Sequence, residues 1–177
     1  MVIQSLNRRI SGNLNESEIV YHILKKTKSN LMIDVGAHTG GSLRPFSLKD
    51  WKIHAFEPDL KNRKELKSAF YKFSNISIYP EALSDKPKKN VPFFSSDIST
   101  GISSLKNFHK SHSNSNSVDI NTLKIFCEDN NIIKIDFLKI DTEGFDFFVL
   151  KGLDWSKICP RVILCEFEDQ KTVDLGY

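Results

Sequence analysis

A chain of 177 residues, 40% hydrophobic and 27% charged, suits one domain with a buried core, and the balance excludes wholesale disorder. The net charge of +3 is scattered, mostly as lysines such as Lys61, Lys64 and Lys67, and no Arg-rich or aromatic-interleaved stripe marks a nucleic-acid surface. No apolar run approaches a membrane span, the N-terminus lacks the apolar stretch of a secretory signal, and Cys127, Cys159 and Cys165 follow no metal or disulfide spacing. The expectation is a reduced, cytoplasmic protein with neither nucleic acid nor membrane as partner.

In chain order, Asn15 and Glu18 form a capping box ahead of Ile19, Val20, Ile23 and Leu24, which recur at helical spacing and predict a helix over 16–28. An N-terminal helical segment, residues 1–29, thus precedes the main domain, residues 30–177. Leu31–Val35 is a short apolar run ending in a Gly-bearing turn, which reads as a buried strand. Residues 53–56 form a second strand ending at Glu57-Pro58, followed by a helix over 59–73 with Leu66, Ala69, Phe70 and Phe73 inward. Ile76–Tyr79 is a third strand, ending at Pro80-Glu81-Ala82. Residues 84–117 are rich in Ser, Asn, Lys and Pro, and they read as two short strands near 91–94 and 102–104, then a mobile loop over 111–117. Helical spacing resumes over 121–128. Phe137–Ile140 is a fourth core strand, a helix follows over 145–151, and residues 161–165 form a fifth strand ending in Glu166.

Alternating apolar strands and helices imply an α/β fold with a mostly parallel sheet and helices on both faces. In such sheets ligands bind beyond the carboxyl ends of the strands. Asp34, Glu57, Glu81, Asp141 and Glu166 all fall at or next to such ends, which makes that edge the candidate site.

The turn Asp34-Val35-Gly36-Ala37-His38-Thr39-Gly40 carries a glycine directly after a buried strand, where a missing Cβ lets backbone pass close to a ligand. It lacks the G-x-G-x-x-G spacing of a dinucleotide fingerprint and the Lys-Ser/Thr of a phosphate-binding loop. A nucleoside ligand without a pyrophosphate fits better, although a plain strand-to-helix turn has the same look. Glu57 follows the turn by about twenty residues, the separation at which a strand-end acid meets ribose hydroxyls. A NAD-dependent oxidoreductase would show the same acid, and so would a helix N-terminus that favours negative charge.

Together, Ile33-Asp34-Val35-Gly36-Ala37-His38-Thr39-Gly40, Ala55-Phe56-Glu57-Pro58-Asp59, Glu81-Ala82-Leu83-Ser84-Asp85, Asp136-Phe137-Leu138-Lys139-Ile140-Asp141-Thr142-Glu143-Gly144-Phe145-Asp146, Val149-Leu150-Lys151-Gly152 and Cys165-Glu166-Phe167-Glu168 resemble the FkbM family of methyltransferases. The resemblance implies a Rossmann-like class I methyltransferase fold, S-adenosyl-L-methionine as cofactor, and O-methylation of a sugar or secondary metabolite. It further implies that Asp34, Gly36 and Ala37 face the methionine part of the cofactor, that Glu57 binds the ribose, and that Glu81 and Ala82 lie beside the adenine. Asp141 and Glu143 would line the methyl-transfer end. Two departures from the family pattern stand out. Lys124 follows Leu123 where an aspartate is usual, and the chain stops at Tyr177, short of a final helix and hairpin, as in a truncated product or a cofactor-binding remnant.

Methyl transfer to a hydroxyl needs an in-line oxygen and gains from a general base. Asp141 is the first candidate for that base, with a structural acid accepting backbone N–H groups as the alternative. Glu143 has the same alternative at the start of the next helix. His38 reaches toward the site only if the turn directs it there. His109 and His112 have no metal-ligand set around them, and a divalent ion on Asp141, Glu143 and Glu166 requires those three to converge. No metal is assigned. The acceptor is expected to be a small molecule or glycan, with its specificity in segment 84–117 and in the C-terminal part that the family pattern adds.

Overall fold

The computed structural model describes residues 16–26, 29–48, 50–96 and 112–166. Its strands are β1 (Leu31–Val35), β2 (Lys52–Phe56), β3 (Ile76–Tyr79), β4 (Ala82–Leu83), β5 (Lys88–Ser96), β6 (His112–Asn121), β7 (Phe137–Ile140) and β8 (Val162–Cys165). Its α-helices are α1 (Glu16–Leu24), α2 (Arg44–Ser47), α3 (Leu60–Ala69), α4 (Leu123–Asp129) and α5 (Asp146–Lys151), and a single 3-10 turn, Gly41–Leu43, leads into α2.

Five strands form one all-parallel sheet in the order β3-β2-β1-β7-β8. Side-chain alternation splits its two faces between two cores. Ile33, Val35, Phe56, Leu138 and Ile140 pack on one face with Leu123, Phe126 and Cys127 of α4 and Val149 of α5. Met32, Ile53, Ala55 and Phe137 pack on the other with Val20 and Leu24 of α1, Phe46 of α2 and Leu66 of α3. Burial on both faces explains why these strands read as near-continuous apolar runs.

The helix after β2 is shorter than its apolar spacing suggests. The Asp59 carboxylate accepts from the N–H groups of Lys61 and Asn62 and starts α3, which ends at Ala69. Phe70 is buried beyond the helix end, whereas Ala69 is exposed and does not belong to the inner face. Thr122 caps α4 by accepting from the N–H of Ile125. Asn15, half of the expected capping box, and residues 102–104, read as a short strand, lie outside the described residues.

The segment 112–117, expected as a mobile loop, is instead part of a ten-residue strand. β6 pairs antiparallel with β5 and parallel with β4 to make a second, three-stranded sheet in the order β4-β6-β5. Ser and Asn favour turns through their side chains, but a cross-strand ladder satisfies the backbone whatever the side chain, and here that ladder wins. Val118 and Ile120 of β6 close a small core with Ala82, Phe93 and Val91.

Candidate functional site

In a parallel sheet all carboxyl ends share one edge, and here backbone bonds carry the acids just past it. The N–H of Glu57 donates to Tyr79 O, that of Asp141 to Val35 O and that of Glu166 to Ile140 O, each extending a ladder by one step beyond its strand. Along this edge runs a cavity of about 330 Å³. Glu81, Glu57, Gly36 with His38, Asp141 with Glu143, and Glu166 line it after β3, β2, β1, β7 and β8 in turn. Its axis therefore crosses the sheet, over about 19 Å for four strand spacings.

Glu57 is buried, 5% exposed, and ties two turns together. Its Oε2 accepts from the N–H of His38 at 2.7 Å and its Oε1 from the N–H of Asp59 at 2.8 Å. Burial pushes its carboxyl up to about 7, against the two N–H bonds and the nearby Arg63. The same carboxylate thus stabilises the start of α3 and faces the cavity, so both readings of Glu57 hold in part. Arg63 keeps its guanidinium on the carbonyls of Glu57 and Pro58, at 2.7 Å each.

Gly36 has φ +82°, and a Cβ there would come within 1.8 Å of the Asp141 carbonyl oxygen. The close approach that this glycine permits is therefore, first of all, between the β1 and β7 turns. Gly40 has φ +87°, and a Cβ there would press on Phe70 and Leu66 of the α3 side.

Asp34 and Ala37 are not among the cavity-lining residues. Ala37 packs in the core beneath the sheet. Asp34 is fully buried, accepts from the Ser42 hydroxyl, and lies 3.5 Å from Lys139 Nζ. The two are register partners on β1 and β7, so they share a face of the sheet. Asp141, two residues beyond Lys139, places Oδ2 3.2 Å from the same ammonium. Burial works to lower the Lys139 pKa, but the carboxylates of Asp34 and Asp141 outweigh it and hold the ammonium above its ordinary value. Neither Lys139 nor Phe93, a cavity-lining residue from β5, stood out in the sequence as a site residue. Nothing in a strand pattern says which of its polar residues meet across it.

The loop after β7 is shaped by Asp146. Its Oδ1 accepts from the N–H of Thr142 and its Oδ2 from the N–H of Gly144, both at 3.2 Å. Burial raises the Asp146 carboxyl above its ordinary value, partly offset by these bonds. The loop carries Glu143 at φ 54°, a left-handed conformation uncommon for a residue with a Cβ. Strain of this kind collects at functional sites and costs about 1–3 kcal/mol. The outcome is convergence: Asp141, Glu143 and Glu166 offer oxygens that all lie within 4.8 Å of one another, a spacing that could accommodate a cation.

Two buried oxygens in the cavity wall, Glu81 Oε2 and Thr142 Oγ1, have no hydrogen-bond partner among the described residues. Buried polar atoms are normally satisfied, and an ordered water or a ligand would supply the missing partner. A strand-edge cleft with a strand-end acid over a Gly turn defines an α/β domain whose ligand site lies at the carboxyl edge of the sheet.

The family model of the methyltransferase FkbM domain matches residues 34–175, and the chain belongs to that family. It is therefore a methyltransferase domain that uses S-adenosyl-L-methionine, and the NAD-dependent alternative is set aside. No curated protein matches the chain. Among solved structures it is similar to precorrin 8w decarboxylase of Methanobacterium thermoautotrophicum, with 12% identity over 97% of this chain and 77% of that one and a TM-score of 0.49. Among the described residues no helix is long and apolar enough to cross a membrane.

Proposed function

We propose that this domain methylates a hydroxyl oxygen of a small molecule or glycan in the cytoplasm, with Asp141 as the proton acceptor. The continuity of the cavity carries the reading. One cleft joins the unsatisfied Glu81 oxygen, the buried Glu57 carboxylate and the Asp141–Glu143 loop. When bound, S-adenosyl-L-methionine supplies an electrophilic methyl group on a sulfonium. The rest falls to the chain. Glu57 accepts the ribose hydroxyls, Glu81 accepts an amine of the base beside Ala82, and Gly36 and the neighbouring turn hold the middle of the ligand. Asp34 and Ala37 act from behind, through the turn and the Lys139 pair, rather than by contact.

At the other end Asp141 takes the hydroxyl proton as the oxygen attacks, and Glu143 orients the acceptor. The Asp141 side chain is 44% exposed, open enough to meet an acceptor while Lys139 holds one of its oxygens. Orientation and proton transfer are the contributions a protein makes to such a displacement.

The test has two parts. Isothermal titration with S-adenosylhomocysteine and with NAD should give binding for the first and none for the second. Methyl-labelled cofactor is then offered with a panel of hydroxylated sugars and aromatic metabolites. Label that survives mild base is an ether, whereas label on nitrogen, or released as methanol from an ester, would overturn O-methylation at a hydroxyl.

A further inference from the structure

We propose that Phe93 forms the nucleobase wall of the cavity, so that the small second sheet completes the cofactor site. The inference rests on the nucleoside reading above. Three observations carry it. Phe93 sits on β5, outside the parallel sheet, yet lines the same cavity as Glu57 and Asp141. It packs with Ala82 in the small core of the second sheet, and Ala82 lines the cavity as well. That fixes which end it occupies: Ala82 follows β3, at one side of the sheet, while Asp141 and Glu166 follow β7 and β8 on the other. A phenyl ring at the β3 end cannot reach the methyl-transfer end, three strand spacings or about 14 Å away.

The chemistry of the neighbourhood agrees. Leu83 and Phe56 contribute further apolar surface, and the unpartnered Glu81 oxygen contributes one acceptor. Apolar walls with a single buried acceptor suit a base bearing an amine. Phe93 is 3% exposed and is held by Val91, Val118 and Ile120. The wall therefore exists only while β5 and β6 are paired, and base binding in turn favours that pairing.

The test compares two probes, adenosine and S-adenosylhomocysteine, adenosine being measured by displacement. Phe93→Leu keeps the small core apolar but removes the ring. It should weaken both probes by the same factor, about five- to tenfold, the low end of what a base–aromatic contact contributes. Val20→Ala disturbs the other core, on α1 across the main sheet, without touching this cavity and should leave both affinities within about twofold, the scatter expected for a distant site. Should Phe93→Leu not fold, the unaltered chain with labelled phenylalanine answers instead, through an NOE between the adenosine base protons and the Phe93 ring.

Loss of S-adenosylhomocysteine but not adenosine would put Phe93 at another part of the ligand and overturn the proposal. So would equal losses in Val20→Ala, unchanged affinities in Phe93→Leu, or an absent NOE. Glu57→Ala separates the two readings. If it leaves both probes bound as before, the nucleoside reading itself fails, whereas a loss there beside an unchanged Phe93→Leu removes only the wall.

Discussion

Lowering the pH from 8 to 5.5 should weaken cofactor binding through Glu57. Its carboxyl is raised from 4.5 to about 7, chiefly by burial. Ribose hydroxyls need it as an acceptor, so the binding form is the carboxylate. With one titrating group the competent fraction is near one at pH 8, about one half at pH 7, and about 3% at pH 5.5, a loss of roughly 30-fold in affinity. Folding responds in the opposite sense. A carboxyl whose folded pKa lies above its unfolded value contributes stability that is fully present below 4.5 and lost as pH rises through about 7. For a group only 5% exposed that swing is of the order of 3 kcal/mol. The ligand-free protein thus loses Glu57's contribution over the same range in which the bound form gains affinity. Isothermal titration with S-adenosylhomocysteine at pH 5.5, 7 and 8, beside urea unfolding at the same values, reads both. Glu57→Gln should flatten the affinity profile. It should also cost about 1–3 kcal/mol of stability, because an amide offers one acceptor to two backbone donors. His54, whose pKa burial lowers to about 4, stays neutral throughout. His38→Asn tolerates the same positive φ and isolates any share of His38. An affinity for wild type that is constant between pH 5.5 and 8 would refute the role given to Glu57.

Lys139→Met should destabilise the fold by about 3–5 kcal/mol in urea unfolding, since Asp34 then remains fully buried without a cation. Adding Asp34→Asn should recover much of that loss, and no recovery would mean the pair is not the reason. Gly36→Val should impair folding itself, visible as a lost cooperative transition, because its Cβ would meet the Asp141 carbonyl at 1.8 Å. A stable variant with normal cofactor binding would show that the two turns can part. Once an acceptor is found, Asp141→Asn should lower kcat by about 10²–10⁴-fold with cofactor affinity little changed. An equal loss in affinity would mark Asp141 as a binding residue.

The five core strands could be read off the chain because strands buried on both faces demand continuous apolar runs, as in Leu31–Val35 and Phe137–Ile140. The strand-end acids were legible for a related reason: a charge directly after such a run has only the sheet edge to go to. Glu57, Glu81, Asp141 and Glu143 all reach the cavity. The polar strand β6 was not legible, because Ser and Asn carry turn preference while a ladder partner sixteen or more residues away decides the outcome.

Local chemistry along the chain thus sets the five core strands, the acids that follow them, and the family. Which side chains share a neighbourhood is a property of strand order alone. Asp34 was expected at the ligand. It meets Lys139 instead, because β7 returns across the sheet to pair with β1, more than a hundred residues later in the chain. Phe93 lines the cavity because a second sheet folds back over the β3 end. The convergence of Asp141, Glu143 and Glu166 likewise needs β8 beside β7 and the Asp146 carboxylate shaping the loop between. These pairings are long-range contacts between residues with no common local pattern, so only the assembled fold brings them together.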